Sequence, residues 1–128
     1  MSKYILAIDQ GTTSSRAVII NETGQWIAAH QEEFKQYYPR PGWVEHDAAE
    51  IWDTVKICIK RVLEKSYIKG TAIAGIGITN QRETVVFWNR SQSRAIGNAI
   101  VWQDRRTQSH CQALKKKNYE RKIHENKK

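Results

Sequence analysis

The run Ala72-Ile73-Ala74-Gly75-Ile76-Gly77-Ile78-Thr79 constrains the chain most. Successive side chains of a strand point to opposite faces, and here both faces are apolar, as in a strand covered on both sides. The sequence therefore predicts a buried central strand in a layered α/β sheet. The hydrophobic fraction of 40%, with five Trp, agrees with a packed globule, because disordered chains lack the apolar area to offset chain entropy.

The upstream residues supply neighbours for that strand. Residues 4–9 form a short apolar run ending in Asp9, the polar turn Gln10-Gly11-Thr12-Thr13-Ser14-Ser15 follows, and residues 16–20 are again β-branched. Asn21-Glu22-Thr23-Gly24 is a second turn, and residues 25–34 read as a third strand, so an antiparallel meander is expected. Two prolines and a glycine make residues 37–42 irregular. Asp47, with Glu50 three residues on, opens a capping-box-like helix whose apolar set is Ile51, Trp52, Val55, Cys58, Ile59, Val62 and Leu63. Residues 84–88 and 98–102 are expected as short strands joined by a turn at 89–94. Residues 105–122 are expected as a weakly amphipathic helix anchored by Cys111, Leu114 and Tyr119. The order β-β-β-α-β followed by more strands gives an α/β mixed sheet, a meander plus a strand reached by a crossover helix. An α/β layer needs helices on both faces, and only one strong helix is present. The text also stops in a Lys/Asn-rich helix without a C-cap signal, so an incomplete lobe is expected.

Charge excludes less than it suggests. Residues 108–128 carry 7 basic and 2 acidic side chains, which leaves 14 against 11 elsewhere, so the body of the chain is nearly balanced. A basic tail is usually solvated and is weak support for a nucleic-acid surface. No apolar run approaches the roughly 20 residues that span a bilayer. The N-terminus has no signal-peptide pattern, and a cytoplasmic location is expected. Cys58 and Cys111 lack ligand spacing and read as unpaired thiols.

Three segments could carry chemistry. Asp9-Gln10-Gly11-Thr12-Thr13-Ser14-Ser15-Arg16 offers backbone N–H groups, hydroxyls and a guanidinium beside a strand-terminal carboxylate, which suits phosphate, with Asp9 able to reach Mg²⁺ through water. It is not a Walker loop, and an ordinary polar hairpin turn is the alternative. Asn80-Gln81-Arg82-Glu83-Thr84 lies at a strand end, where crevices bind ligands. Its Arg and Glu supply the donors and acceptor that a polyol needs, against the alternative of two solvated charges. Trp102, before Gln103-Asp104-Arg105-Arg106-Thr107, could cover a polyol carbon skeleton or could be a core Trp beside a helix capped by Asp104. Gly42-Trp43-Val44-Glu45-His46-Asp47 cannot chelate one ion, since consecutive side chains diverge. Gly75 and Gly77 lack the third glycine of a dinucleotide fingerprint and read as close-packing positions.

Taken together, residues 9–16, 41–47, 77–84 and 98–107 resemble, in order and spacing, the opening of the FGGY carbohydrate kinases. Segments 42–47 and 80–83 are similar to the branch of that family that phosphorylates glycerol. The resemblance implies an actin-like, ribonuclease-H-like ATPase fold and transfer of the ATP γ-phosphate to glycerol, giving glycerol 3-phosphate. It implies that Thr12, Thr13, Ser14 and Arg16 approach the nucleotide phosphates, that Asp9 serves Mg²⁺, and that Arg82, Glu83 and Trp102 line the glycerol pocket. It also implies a parent enzyme several times longer and homo-oligomeric. The parent's catalytic base, adenine site and second lobe match nothing here, so residues 1–128 are expected to be a partial N-terminal domain without turnover of its own. The alternatives are a basic nucleic-acid-binding module and a metal-dependent nuclease on the same topology, the latter short of carboxylates with only Asp9 and Glu83.

Overall fold

A computed structural model describes residues 3–117 and 119–126. The meander forms as β1 (Tyr4–Gln10), β2 (Ser14–Ile20) and β3 (Trp26–Glu33), followed by the short β4 (Glu45–His46). Next come α1 (Ala48–Ser66), a 3-10 turn at Gly70–Ala72 and β5 (Ile73–Thr79). The rest comprises β6 (Trp88–Asn89), β7 (Arg94–Ala95), β8 (Ala99–Ile100), α2 (Gln108–Lys116) and α3 (Tyr119–Glu125).

The main sheet has the order β3-β2-β1-β5. β1 runs antiparallel to β2, with Ile8 opposite Ala17 and Asp9 opposite Arg16, and parallel to β5, with Leu6 beside Ile76 and Ile8 beside Ile78. Helix α1 supplies the crossover. Asp47 caps it by accepting from the Ala49 amide, while Glu50 accepts from the Tyr37 hydroxyl, so only half of a capping box forms. Its buried stripe of Val55, Cys58 and Val62 meets Leu6, Ile8, Ala17 and Ile19 in one core. Cys58 is a free buried thiol donating to the Ser15 carbonyl, and burial pushes its pKa up; Cys111 is free and exposed.

Four expectations need correction. β5 is an edge strand rather than a buried central one: α1 packs over β2 and β3, leaving Ile76 60% and Ile78 72% exposed. Both faces of the strand are apolar, yet no described element covers them fully or pairs its outer edge. Close packing does not account for Gly77 either, since a Cβ there would meet nothing within 4 Å; one at Gly75 would make only ordinary contact, 3.6 Å from Ile5 Cδ1. The expected strands at 84–88 and 98–102 shrink to residue pairs. β6 pairs β7 in a tight hairpin, Gly97 at φ 72 redirects the chain, and β8 pairs β4 instead. The expected 105–122 helix is two short ones with no buried residue, Cys111 and Tyr119 lying exposed; Asn118 between them and the ending Lys127-Lys128 lie outside the described residues. No helix among the described residues is long and apolar enough to cross a membrane.

Candidate functional site

The β1–β2 turn sits at the C-terminal end of β1, and the parallel neighbour β5 ends beside it, so residues 9–12 and 80–83 are brought to the same edge. A cavity of about 440 Å³ opens there, lined by residues 9–12, residues 80–83 and Trp102. Such a position beyond the carboxyl ends of parallel strands is where open α/β sheets hold ligands.

Each wall is fixed locally. Gly11 donates to the Ser14 carbonyl at 2.9 Å, and a Cβ at Gly11 would lie a tight 3.2 Å from that same oxygen, so a side chain there would force the turn to give slightly. Thr12 Oγ1 accepts from Trp102 Nε1 at 3.0 Å, joining the turn to the third segment. Glu83 adopts φ 57, uncommon for a residue with a side chain, in the turn that follows β5. Arg82 and Glu83 are exposed.

Trp102 is 53% exposed rather than a core residue. Its position is set from behind: the Asp104 carboxylate accepts from the Val44 amide at 2.7 Å and from the Arg106 guanidinium, which also bonds Glu45 and stacks 3.7 Å over Trp43. Asp104 therefore fastens β4 to the segment after β8 instead of capping α2, whose N-cap Thr107 makes no side-chain bond. Hydrogen bonds from Arg106 hold the Asp104 carboxyl down at about 2, and the same bonds raise Arg106.

The remaining predicted residues lie around the turn without lining this cavity. Thr13 is exposed, and Ser14 Oγ accepts from Gln31 Nε2 at 2.9 Å. Arg16 pairs with Asp9 across the strands and lies 5.6 Å from the Trp26 ring, its Nε buried without a partner. Asp9 borders both the main cavity and a second one of about 350 Å³ on the open sheet face, lined also by Arg16, Val18, Trp26 and Gly77. No group of three His, Cys, Asp or Glu among the described residues is placed to hold a metal.

Sequence reasoning missed Gln36 and the placement of His46. Glu45, His46 and Asp47 do diverge, to Arg106, to Gln36 and to the α1 cap respectively, and His46 is fully buried. Its neighbour Phe34, an apolar residue directly after the polar end of β3, was the available signal; a lone glutamine in an irregular segment gives none.

Comparison with known proteins brings the following. The sequence pattern of the FGGY family of carbohydrate kinases, N-terminal domain, matches residues 4–128. Glycerol kinase of Sinorhizobium fredii is 57% identical over 121 residues, 94% of this chain and 24% of that protein. Glycerol kinase of Caldanaerobacter subterraneus subsp. tengcongensis is 54% identical over 125 residues, 98% and 25% respectively. Plasmodium falciparum glycerol kinase, solved with ADP, superposes with a TM-score of 0.80 at 34% identity, covering 88% of this chain and 23% of that one. Gluconate kinase from Lactobacillus acidophilus gives 0.88 at 26% identity, covering 98% and 25%. The chain thus spans about a quarter of the length of the relatives it matches.

Proposed function

The chain belongs to the FGGY family of carbohydrate kinases, with the α/β, actin-like ATPase fold of its structural neighbours, and we propose that its cleft is one wall of a glycerol kinase site that transfers the ATP γ-phosphate to glycerol. The observation carrying this is the single cavity that gathers residues 9–12, Arg82, Glu83 and Trp102 at the ends of parallel strands. Glycerol kinases over 50% identical across nearly the whole chain support the polyol, and give no support to a nucleic-acid-binding module or a nuclease. In this reading residues 1–128 are a partial N-terminal kinase domain, and a cytoplasmic setting agrees with ATP use and with two free thiols.

The donor set fits the nucleotide. A glycine-tightened turn with Thr12, Thr13 and Ser14 hydroxyls can donate to phosphate oxygens, and Arg16 adds a charge-assisted donor once its bond to Asp9 loosens. Asp9 would then hold Mg²⁺, through water, against the phosphates; when bound, the ion neutralises charge on the transferred group. Arg82 and Glu83 give and accept hydrogen bonds to adjacent hydroxyls, while Trp102 packs on the carbon chain and fixes which hydroxyl points at the turn. Phosphoryl transfer depends on such positioning inside a closed site with a base for the hydroxyl proton. We assign no residue of this chain as that base.

The test joins this chain in frame to the remaining three quarters of the Caldanaerobacter enzyme. The expected result is glycerol phosphorylation by the chimera, lost on Arg82→Ala, and none above background by the chain alone. A folded but inactive chimera, or Arg82-dependent turnover by the isolated chain, would overturn the proposal.

A further inference from the structure

His46 is wholly buried, its ring edge-on to Phe34 with centroids 5.0 Å apart, and nothing in the proposed chemistry uses it. Its two nitrogens nevertheless touch groups that belong to opposite walls of the cleft. Nε2 lies 2.6 Å from Gln36 Oε1, and Gln36 Nε2 donates to the Thr12 carbonyl at 3.2 Å and to the Phe34 carbonyl at 3.3 Å. On the other side Nδ1 lies 3.2 Å from Gln81 Nε2.

The bonding pattern fixes the proton. Because the Gln36 amide nitrogen is committed to two carbonyls, its oxygen faces the imidazole and must accept, so His46 Nε2 carries the hydrogen. Nδ1 is then bare and accepts from Gln81. Burial lowers the imidazole pKa, in keeping with this neutral tautomer. Gln81 gives its donor to His46, and its Oε1, buried without a partner, remains as an acceptor in a residue that lines the cavity.

We propose that His46 is a positioning residue: through Gln36 and Gln81 it sets the separation between the phosphate-side turn at Thr12 and the polyol-side segment at Gln81–Glu83. The function of the two walls rests on the kinase reading above; the relay itself does not. A transferring phosphoryl group tolerates little error in the distance to its acceptor, so a buried hydrogen-bonded strut beneath the cleft has a definite task.

The test is nuclear magnetic resonance on the whole ligand-free chain, which separates the relay from the kinase reading tested by the chimera. Wild type should show a protonated Nε2 and an unprotonated Nδ1 in its imidazole nitrogen spectrum. His46→Phe keeps the ring but neither bond, and should shift the amides of Thr12 and Thr13 together with those of Gln81 and Arg82. It should also quicken exchange of the Phe34 amide, bonded to Thr13, about 5-fold. His46→Gln keeps a donor near the Nε2 position and should restore the Thr12 end alone. His46→Asn keeps an acceptor near the Nδ1 position and should restore the Gln81 end alone. A filler role predicts that Phe leaves both ends unmoved, with the core signals of Ile19 and Val62 intact, and that result would overturn the proposal. So would the opposite tautomer, or Gln and Asn variants that disturb both ends equally.

Discussion

On the reading proposed above, Glu83 serves the polyol and Thr13 the nucleotide, and single substitutions should separate the two roles. In the chimera, Glu83→Ala removes the acceptor for a glycerol hydroxyl; leaving that group unpaired costs about 1–3 kcal/mol, or roughly 5- to 150-fold in kcat/KM for glycerol, with ATP affinity nearly unchanged. Thr13→Val removes a phosphate donor and should raise the KM for ATP while leaving the polyol side alone. Steady-state kinetics with each substrate varied would show the split, and equal losses in both variants would withdraw the assignment. Asp104 belongs to the scaffold rather than to the chemistry. Its side chain is 3% exposed and bound to Arg106, so Asp104→Ala leaves a guanidinium, 19% exposed, with Glu45 as its remaining carboxylate and should cost about 2 kcal/mol in urea unfolding. Its carboxyl sits at about 2 in the folded chain against an ordinary 3.8, so its contribution is complete above about 3.8 and fades as the pH drops towards 2. His46 has the other sign of charge but loses stability in the same direction. Its folded pKa lies below the ordinary 6.5, so below that value the unfolded chain binds the extra proton, and stability should fall with falling pH until the folded imidazole also titrates. In His46→Gln that slope should disappear.

At the scale of elements, Ile19 and Ile78 test what burial means here. Ile19 is fully buried between β1, β3 and α1, and Ile19→Ala should cost about 3 kcal/mol through lost transfer energy and a cavity. Ile78 is equally apolar but 72% exposed on β5, and Ile78→Ser should change the unfolding free energy by less than about 0.5 kcal/mol. Comparable losses at the two positions would mean that β5 is covered in solution. The same contrast explains what was legible beforehand. β1, β2, β3 and α1 could be read because their patterns are local: alternation, turn residues and an N-cap all lie within the element they specify. β5 was legible as a strand but not as an edge, because composition records the cover a strand requires and not whether this chain provides it. β6, β7 and β8 were misjudged because two-residue pairings leave no periodicity. Of the site, residues 9–12, Arg82, Glu83 and Trp102 line one cavity, while Thr13, Ser14 and Arg16 do not. Gln36 and Gln81 acquire their meaning only through His46, a contact across 10 residues on one side and 35 on the other that no local spacing encodes.

For the whole molecule, the decisive feature is the free side of the sheet at β5. A strand parallel to its neighbour and without charge on either face is ordinarily interior, and an edge of this kind is a template for another strand. Ile76 and Ile78 lie on the same face as the core residues Leu6 and Ile8, with which they are in register, so the core ends in the open rather than at a polar boundary. The expected consequence is association. Mixed as a separate polypeptide with the remaining three quarters of the Caldanaerobacter enzyme, this chain should form a one-to-one complex. Alone, it should bind a hydrophobic dye, and the complex should suppress that binding. Charge at the edge is the discriminating change: Ile78→Lys puts an ammonium on the face to be covered, while Ile57→Lys puts one on an exposed position of α1, far along the fold from that edge. Sedimentation of the mixtures should show assembly lost with Ile78→Lys and kept with Ile57→Lys, both chains remaining folded. If Ile78→Lys assembles as well as wild type, the β5 edge is not where the sheet is completed, and the exposed aliphatic face would need a different account.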